Sequence, residues 1–153
     1  MKIIEVKDFG RHVAIGIVVS RFNQEITGEL LKETLARLTE LEVRQENITV
    51  VYVPGAIEIS IAAKRLAKTK KYHAIIALGA VIRGETTHYD YVCQQASAGC
   101  LQVMMEYDLP VVFGILTTEN FEQAEDRVGG KKGYKGREAA DTALEMISIL
   151  EQI

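Results

Sequence analysis

The chain alternates continuous apolar runs with longer segments in which apolar residues recur every three or four positions. Continuous runs rich in Val and Ile are typical of parallel strands buried on both faces, and the recurring spacing is typical of helices that bury one face. The predicted strands are residues 13–19, 48–53, 74–78 and 111–116, with a further short strand at 3–6. The predicted helices carry apolar residues at 31–41, 59–67, 92–103 and 139–150, and a short helix is expected near 121–127.

Strands that alternate with helices predict a parallel sheet with helices on both of its faces. We therefore expect an α/β fold, a three-layer αβα sandwich with a four-stranded parallel sheet, and one domain over residues 1–153. In such sheets, ligands bind beyond the carboxyl ends of the strands. A site is therefore expected among the segments that follow the strands, namely residues 20–23, 54–58, 80–88 and 113–118.

The most informative of these segments is residues 79–91, GAVIRGETTHYDY. It predicts a glycine-bounded loop that leads into a helix, with Thr86 and Thr87 at the helix start. The free N–H groups and the positive dipole end of a helix start suit a phosphate, and His88 beside it can transfer protons. The alternative is a capped helix that carries a surface histidine.

Two other strand ends carry residues that a plain connector does not need. Phe22 follows Arg21 in a polar loop, where it can either stack on a planar heterocycle or cap the core. Gly55 allows a ligand to approach the backbone closely. Glu58 is expected in the first turn of a helix, where it can contact a ligand or simply complement the helix dipole.

The one basic concentration comprises Arg127 and residues 129–137, GGKKGYKGR. Its glycines and cations can form a flexible turn that binds an anion. The alternative is a solvated connection between two helices.

Composition narrows the classes of function. The 153 residues are 48% hydrophobic and carry a net charge of −3 without a basic block, which argues against nucleic acid as the main partner. No apolar run reaches the length of a membrane span, and the N-terminus lacks the organisation of a signal peptide. The sequence also lacks the glycine motifs that bind nucleoside triphosphates and dinucleotides, and the nucleophile elbow of serine hydrolases.

Cys93 and Cys100 are seven residues apart on one predicted helix. That spacing separates them by ~10 Å along the helix axis, which exceeds the ~7 Å that a disulfide allows. Free thiols in a reducing compartment are the simpler interpretation, and we expect a cytoplasmic protein. His12, His73 and His88 have no cysteine at zinc-site spacing, so no metal site is predicted.

Taken together, the strand-end segments resemble the lumazine synthase family, whose members make 6,7-dimethyl-8-ribityllumazine in riboflavin biosynthesis. The resemblance covers nearly the whole chain and follows the order of the predicted elements. It rests on GIVVSRFN at 16–23, VPGAIE at 53–58, GETTHYDY at 84–91, FGILTTE at 113–119, EQA at 122–124 and the block 127–140.

The resemblance implies a condensation of 5-amino-6-(D-ribitylamino)uracil with 3,4-dihydroxy-2-butanone 4-phosphate. Phosphate and water leave, and the family needs neither cofactor nor metal. By the same resemblance, Phe22 stacks on the pyrimidine ring and His88 transfers protons. Main-chain N–H groups of Glu85 and Thr86 hold the phosphate. Largely through backbone groups, the ring and ribityl chain are held by Ala56, Ile57, Glu58, Ala80, Val81 and Ile82.

The family resemblance also implies a site shared between subunits. Phe113 and Arg127 come from the neighbour, Arg127 pairs with the phosphate, and Lys135 and Glu138 line or support that side. Members assemble as rings of five, in which the N-terminal strand, here residues 3–6, extends the neighbour's sheet. Some form shells of sixty subunits, and the chain has no insertion between Arg127 and Lys135 that would exclude shells. The resemblance leaves open whether riboflavin synthase is a partner.

Four positions depart from the common family pattern, and two of them are Gly130 and Tyr134, which replace a frequent Thr and Asn in the turn before the last helix. Ile57 stands where many members carry an aromatic residue, and Glu85 stands where a small residue is common. Because fold does not imply activity, a non-catalytic flavin- or lumazine-binding protein and a shell protein remain alternatives. The presence of His88, Arg127 and the loop 84–87 favours the enzyme.

Overall fold

The computed structural model describes residues 1–7 and 12–153, over which strands and helices alternate. None of the helices in these ranges is long and apolar enough to cross a membrane. A short 3-10 helix at Gln45–Asn47 precedes the second strand. The elements are β1 (Ile15–Ser20), α1 (Gln24–Glu40), β2 (Ile48–Val53), α2 (Ile59–Lys68), β3 (Ala74–Ile82), α3 (His88–Tyr107), β4 (Val111–Thr118), α4 (Phe121–Glu125), β5 (Val128–Gly130), β6 (Gly133–Tyr134) and α5 (Lys135–Leu150).

The main sheet of the described residues has four parallel strands in the order β2-β1-β3-β4. In β1, Ile15 pairs with Ile48 of β2 on one side and with Ala74 of β3 on the other. Every residue of β1 is buried, as expected of a strand that is paired on both edges and covered on both faces. The predicted α/β class and parallel sheet are confirmed.

Helices cover both faces of this sheet. Successive residues of a strand point to opposite faces, so Ile17 joins one core and Val18 the other. The core that contains Ile17 also includes Leu30 of α1 and Leu144 of α5. The core that contains Val18 includes Ala63 of α2, and α3 packs beside it. The predicted three-layer arrangement is confirmed.

β3 continues to Ile82, so the prediction that a loop begins at residue 79 was wrong. The extension is paired, because Gly79 and Ile82 lie opposite Ile115 and Thr118 of β4. A Cβ at Gly79 would lie only 3.2 Å from the nearest atoms of Ile59 and Ser20. This glycine therefore allows close packing inside a strand, whereas the sequence predicts it at the start of a loop.

The glycine- and lysine-rich segment before α5 contains a hairpin that the sequence analysis did not predict. In it, Val128 pairs with Tyr134 and Gly130 pairs with Gly133 in antiparallel fashion. Gly129 and Gly133 have φ angles of 113° and 82°, in the region that favours glycine. These glycines therefore serve the geometry of a defined hairpin that connects α4 to α5, and anion binding by this segment stays a prediction.

Residues 3–6 form no strand within the described part of the chain. The N-terminal segment lies along the end of α5 instead. The backbone N–H of Lys7 donates to Ser148 Oγ at 2.9 Å, and Gln152 Nε2 donates to the carbonyl of Glu5 at 2.8 Å. The predicted pairing of residues 3–6 with a neighbouring subunit stays a prediction.

The two helices α1 and α5 are in close contact at Gly136. A Cβ at this position would overlap the carbonyl oxygen of Leu30, which is a backbone atom and cannot rotate away. Thr34 Oγ1 donates to the carbonyl of Gly136 at 3.0 Å and holds the two helices together. The contact therefore requires glycine.

We expect Gly136→Ala to lower the free energy of unfolding by about 1–3 kcal/mol, because the added methyl group forces the two helices apart. Gly28→Ala in α1 is the control, since a Cβ there meets no atom within 4 Å. It should leave stability unchanged or raise it by up to about 1 kcal/mol, through its effect on the unfolded chain. Urea unfolding of both variants measures the difference, and equal effects would contradict the close contact.

Candidate functional site

A cavity of about 420 Å³ lies at the carboxyl ends of β1, β2 and β3, where the parallel sheet predicts a site. We call it the strand-end cavity. It brings together three segments that are far apart in the sequence. The sequence-predicted site residues that line it are Phe22, Ala56, Ile57, Glu58, Ala80, Val81, Ile82, Thr86 and His88. Glu85, which was also predicted, is exposed and lies outside this lining.

Hydrogen bonds from the backbone of Phe22 and from its two neighbours fix Phe22 at this cavity. The backbone N–H groups of Arg21 and Phe22 donate to the carbonyls of Val53 and Pro54 at 2.8 and 3.1 Å. Asn23 Nδ2 donates to the carbonyl of Ala80 at 2.9 Å. The aromatic side chain is nevertheless 71% exposed. It does not cap the core, which disfavours that alternative.

Residues 55–58, which follow β2, form one wall of this cavity. Ala56 is buried, and the side chain of Glu58 folds back towards Gly55, where a Cβ would lie 3.0 Å from Glu58 Oε2. Glu58 is the residue just before α2 and its side chain makes no capping hydrogen bond. Both interpretations of Glu58 therefore stand, because it faces the cavity and also lies at the positive end of the helix dipole.

The loop after β3 ends where α3 begins, at His88, as the sequence predicted. Thr87 occupies the cap position, and the backbone N–H of His88 donates to Thr86 Oγ1 at 3.3 Å. Thr86 and His88 are exposed and face the cavity. The arrangement places helix-start N–H groups, which can bind an anion, beside an imidazole, which can transfer a proton.

The remaining predicted site residues lie elsewhere, in a second cavity of about 380 Å³ beside β4. We call it the β4-edge cavity, and it contains Phe113, Arg127, Lys135 and Glu138. Arg127 Nη1 donates to the carbonyl of Gln123 at 2.8 Å. Lys135 Nζ lies 3.3 Å from Glu138 Oε2. Within one chain, the structure therefore does not bring these four residues together with the strand-end group.

The two cavities differ in charge. Among the described residues that line the strand-end cavity there is no Lys or Arg, and Glu58 is its one carboxylate. The β4-edge cavity holds Arg127, Lys132 and Lys135. An anion in the strand-end cavity would thus contact N–H groups, but no Lys or Arg side chain of the described lining would offset its charge.

A third cavity of about 490 Å³ shares Phe113, Lys135 and Glu138 with the β4-edge cavity. It continues as an apolar groove between the end of α3 and α5. Met105, Met146 and Leu150 line it and are exposed. Apolar grooves of this kind on a single chain mark surfaces that contact another molecule.

Four further residues line the strand-end cavity: Gly55 and Gly84 lie in the segments where the sequence predicts a site, whereas Tyr89 and Val92 were not predicted. Burial raises the pKa of the Tyr89 phenol, with a smaller contribution from its contact with Cys93. Tyr89 and Val92 lie three residues apart in α3, one turn along the same helix face. Val92 also lies four residues after His88, on the same face of α3, and that spacing was the signal available in the sequence.

Both cysteines are free thiols, and Cys100 is buried. Burial raises the pKa of the Cys100 thiol to about 11, so it is unreactive near neutral pH. Within residues 1–7 and 12–153, no three His, Cys, Asp or Glu side chains are grouped as metal ligands.

Comparison with known proteins identifies the family. The sequence profile of 6,7-dimethyl-8-ribityllumazine synthase matches residues 12–151. A 6,7-dimethyl-8-ribityllumazine synthase of Coxiella burnetii strain Dugway 5J108-111 is 56% identical over 139 residues, which cover 91% of this chain and 92% of the relative. Those of strains CbuG_Q212 and RSA 493 / Nine Mile phase I are 55% identical over the same length. The chain belongs to the lumazine synthase family.

The predicted membership of the lumazine synthase family is thereby confirmed. The roles of the individual site residues stay predictions. Their placement is uneven: nine of the fourteen line the strand-end cavity, four line the β4-edge cavity, and Glu85 lies on the loop beside the first.

We expect Phe22→Ala to leave the free energy of unfolding within about 0.5 kcal/mol of the original, because the ring is exposed and not part of the core. Binding of 6,7-dimethyl-8-ribityllumazine should weaken, since an aromatic stack contributes roughly 0.5–1.5 kcal/mol beyond its buried area. Urea unfolding and fluorescence titration measure the two effects. Lost stability with unchanged affinity would make Phe22 a packing residue.

Proposed function

We propose that the protein condenses 5-amino-6-(D-ribitylamino)uracil with 3,4-dihydroxy-2-butanone 4-phosphate to give 6,7-dimethyl-8-ribityllumazine, phosphate and water. This is the penultimate step of riboflavin biosynthesis. The observation that carries the proposal is the strand-end cavity of a lumazine synthase family member, in which Phe22, Thr86 and His88 converge. The free thiols of Cys93 and Cys100 fit a reducing compartment, and we propose the cytoplasm.

The pyrimidine half of the reaction uses the ends of β1, β2 and β3. Phe22 stacks on the ring, and its exposed face supports that role. Residues 56–58 and 80–82 contact the ring and the ribityl chain, chiefly through backbone groups. The carbonyl of Ala80 already accepts from Asn23, so its remaining lone pair and the neighbouring N–H groups are what a ligand can use.

The butanone half uses the start of α3. N–H groups at residues 85 and 86 hold the phosphate, as helix starts commonly do. Imine formation and phosphate elimination both move protons near neutral pH, which suits the imidazole of His88. Holding both substrates in one cavity converts a bimolecular reaction into an effectively unimolecular one.

A neighbouring subunit completes the site in this proposal. Phe113, Arg127, Lys135 and Glu138 of one subunit face the strand-end cavity of the next, and Arg127 pairs with the phosphate. The absence of Lys and Arg from the described lining of the strand-end cavity supports this arrangement, because a phosphate in a partly enclosed site favours a guanidinium partner.

We propose that the assembly is a ring of five. Contacts between unlike surfaces close into rings, and the apolar groove beside the β4-edge cavity supports such a contact. Residues 3–6 extend the sheet of the neighbour in this ring, which covers an otherwise open edge. Shells of sixty subunits, with riboflavin synthase as a partner, are the larger assembly that the family allows.

The proposed reaction is tested by incubating the purified protein with both substrates and measuring the fluorescent product. We expect His88→Ala to reduce turnover by ~10²–10⁴-fold while substrate binding changes little, because general acid–base residues act mainly on the chemical step. His12→Ala is the control, since His12 is also exposed but does not line the cavity. An unchanged rate for His88→Ala, with chemistry rate-limiting, would remove His88 from the mechanism.

Mixing variants tests the shared site. Rings of Phe22→Ala/His88→Ala subunits lack an intact strand-end cavity, and rings of Arg127→Ala subunits lack the proposed phosphate partner. We expect mixed rings to regain activity, because some interfaces then receive one intact half from each subunit. Mass spectrometry verifies mixing, and each variant alone is the control. Mixed rings that stay inactive would refute the shared site.

A further inference from the structure

Arg83, the residue directly after β3, contacts both the end of β4 and the first turn of α3. Its backbone N–H donates to the carbonyl of Thr118 at 2.9 Å, and its Nε donates to Glu119 Oε2 at 2.7 Å. On the other side, its Nη1 lies 3.3 Å from Asp90 Oδ1. Its guanidinium carbon lies 4.3 Å from the centre of the Tyr89 ring. One side chain therefore joins three elements.

These contacts bridge the loop 84–87, whose N–H groups are the proposed phosphate donors. Arg83 stands immediately before this loop, and Tyr89 and Asp90 stand just beyond its far end at His88. The loop itself is poorly held by packing. All four of its residues are exposed, and a Cβ at Gly84 would meet no atom within 4 Å. Its geometry therefore depends on what holds its two ends.

The guanidinium of Arg83 already pairs with Glu119 and Asp90 and stacks on Tyr89. Its planar fork serves two carboxylates in different elements and stacks on a ring, which an ammonium group cannot reproduce. Arg83 also lies outside the lining of the strand-end cavity, whereas its contact Tyr89 belongs to that lining. Arg83 therefore does not contact a ligand in this cavity, and its structural effect on the ligand passes through the loop and the first turn of α3.

We propose that Arg83 is a positioning residue, which fixes the loop 84–87 and the start of α3 so that their N–H groups and His88 receive the phosphate of the butanone substrate. This inference rests on the proposed function. A loop that is fixed before binding loses little conformational entropy when the ligand arrives, whereas a mobile loop loses more and binds more weakly. The effect is confined to the phosphate, because Phe22 and residues 56–58 are held by β1 and β2.

The test compares Arg83→Met and Arg83→Lys with a matched control, Arg37→Met. Arg37 also donates to two carboxylates, Asp141 at 2.7 Å and Glu40 at 3.1 Å. Its side chain is 31% exposed against 37% for Arg83, but it lies on α1 away from the cavity. The affinity for inorganic phosphate is measured by inhibition or by thermal shift. Fluorescence titration measures the affinity for 6,7-dimethyl-8-ribityllumazine, which has no phosphate.

We expect Arg83→Met to weaken phosphate binding by about threefold to tenfold, the range for one or two charge pairs at a partly exposed position. Lumazine affinity should change by less than about twofold, within the scatter of surface substitutions. The phosphate affinity of Arg83→Lys should lie between those of the original protein and Arg83→Met. Arg83→Lys alone provides the test if Arg83→Met does not fold. Arg37→Met should change neither affinity.

Three results would overturn the positioning role. They are unchanged phosphate affinity in both Arg83 variants, equal loss of phosphate and lumazine affinity, and a wild-type protein that binds no phosphate. The proposed function fails by a different observation, which is that the wild-type protein forms no lumazine from the two substrates. The two failures are therefore distinguishable.

Discussion

The parallel pairing of β1 with both β2 and β3 is the constraint on which the site depends. It brings three strand ends to one edge of the sheet, with Ser20 opposite Val53 and Val19 opposite Leu78. Hydrogen bonds of the same kind continue past the strands, where the N–H of Phe22 donates to the carbonyl of Pro54. Residues from distant parts of the sequence are thereby fixed next to each other on a rigid support, which is what a binding site for two substrates requires.

The groups that can bind a phosphate are divided between the two cavities. The strand-end cavity offers helix-start N–H groups and an imidazole, whereas the cations Arg127, Lys132 and Lys135 lie in the β4-edge cavity. N–H groups alone orient a phosphate, but a guanidinium offsets much more of its charge when water is excluded. If the two cavities meet across a contact between unlike surfaces, binding and assembly depend on the same residues, and Phe113 contributes to both.

Much of the fold and part of the site could be predicted from sequence, because local patterns determine them. Continuous apolar runs identified β1 to β4, although β2 is mostly not buried, and the glycine followed by threonines located the start of α3 at His88. The end of β3 was misjudged, since a glycine that serves close packing looks the same in sequence as one that starts a turn. The hairpin at Val128–Tyr134 was missed, because two very short strands carry no periodicity. The separation of Arg127 from His88 within one chain is encoded by no local pattern, and only the family resemblance implied it.

The two halves of the strand-end cavity are supported by different physical means. The half near Phe22 and Ala56 is attached to strand ends and backbone hydrogen bonds, so its geometry follows from the sheet itself. The half at the start of α3 lies on an exposed loop whose ends are joined by the charged contacts of Arg83. Backbone pairing inside a covered sheet is insensitive to salt, whereas exposed ion pairs weaken as the salt concentration rises. In the proposed reaction, recognition of the pyrimidine ring and recognition of the phosphate therefore rest on separable energetic terms, which lets a substitution change one of them while the other is kept.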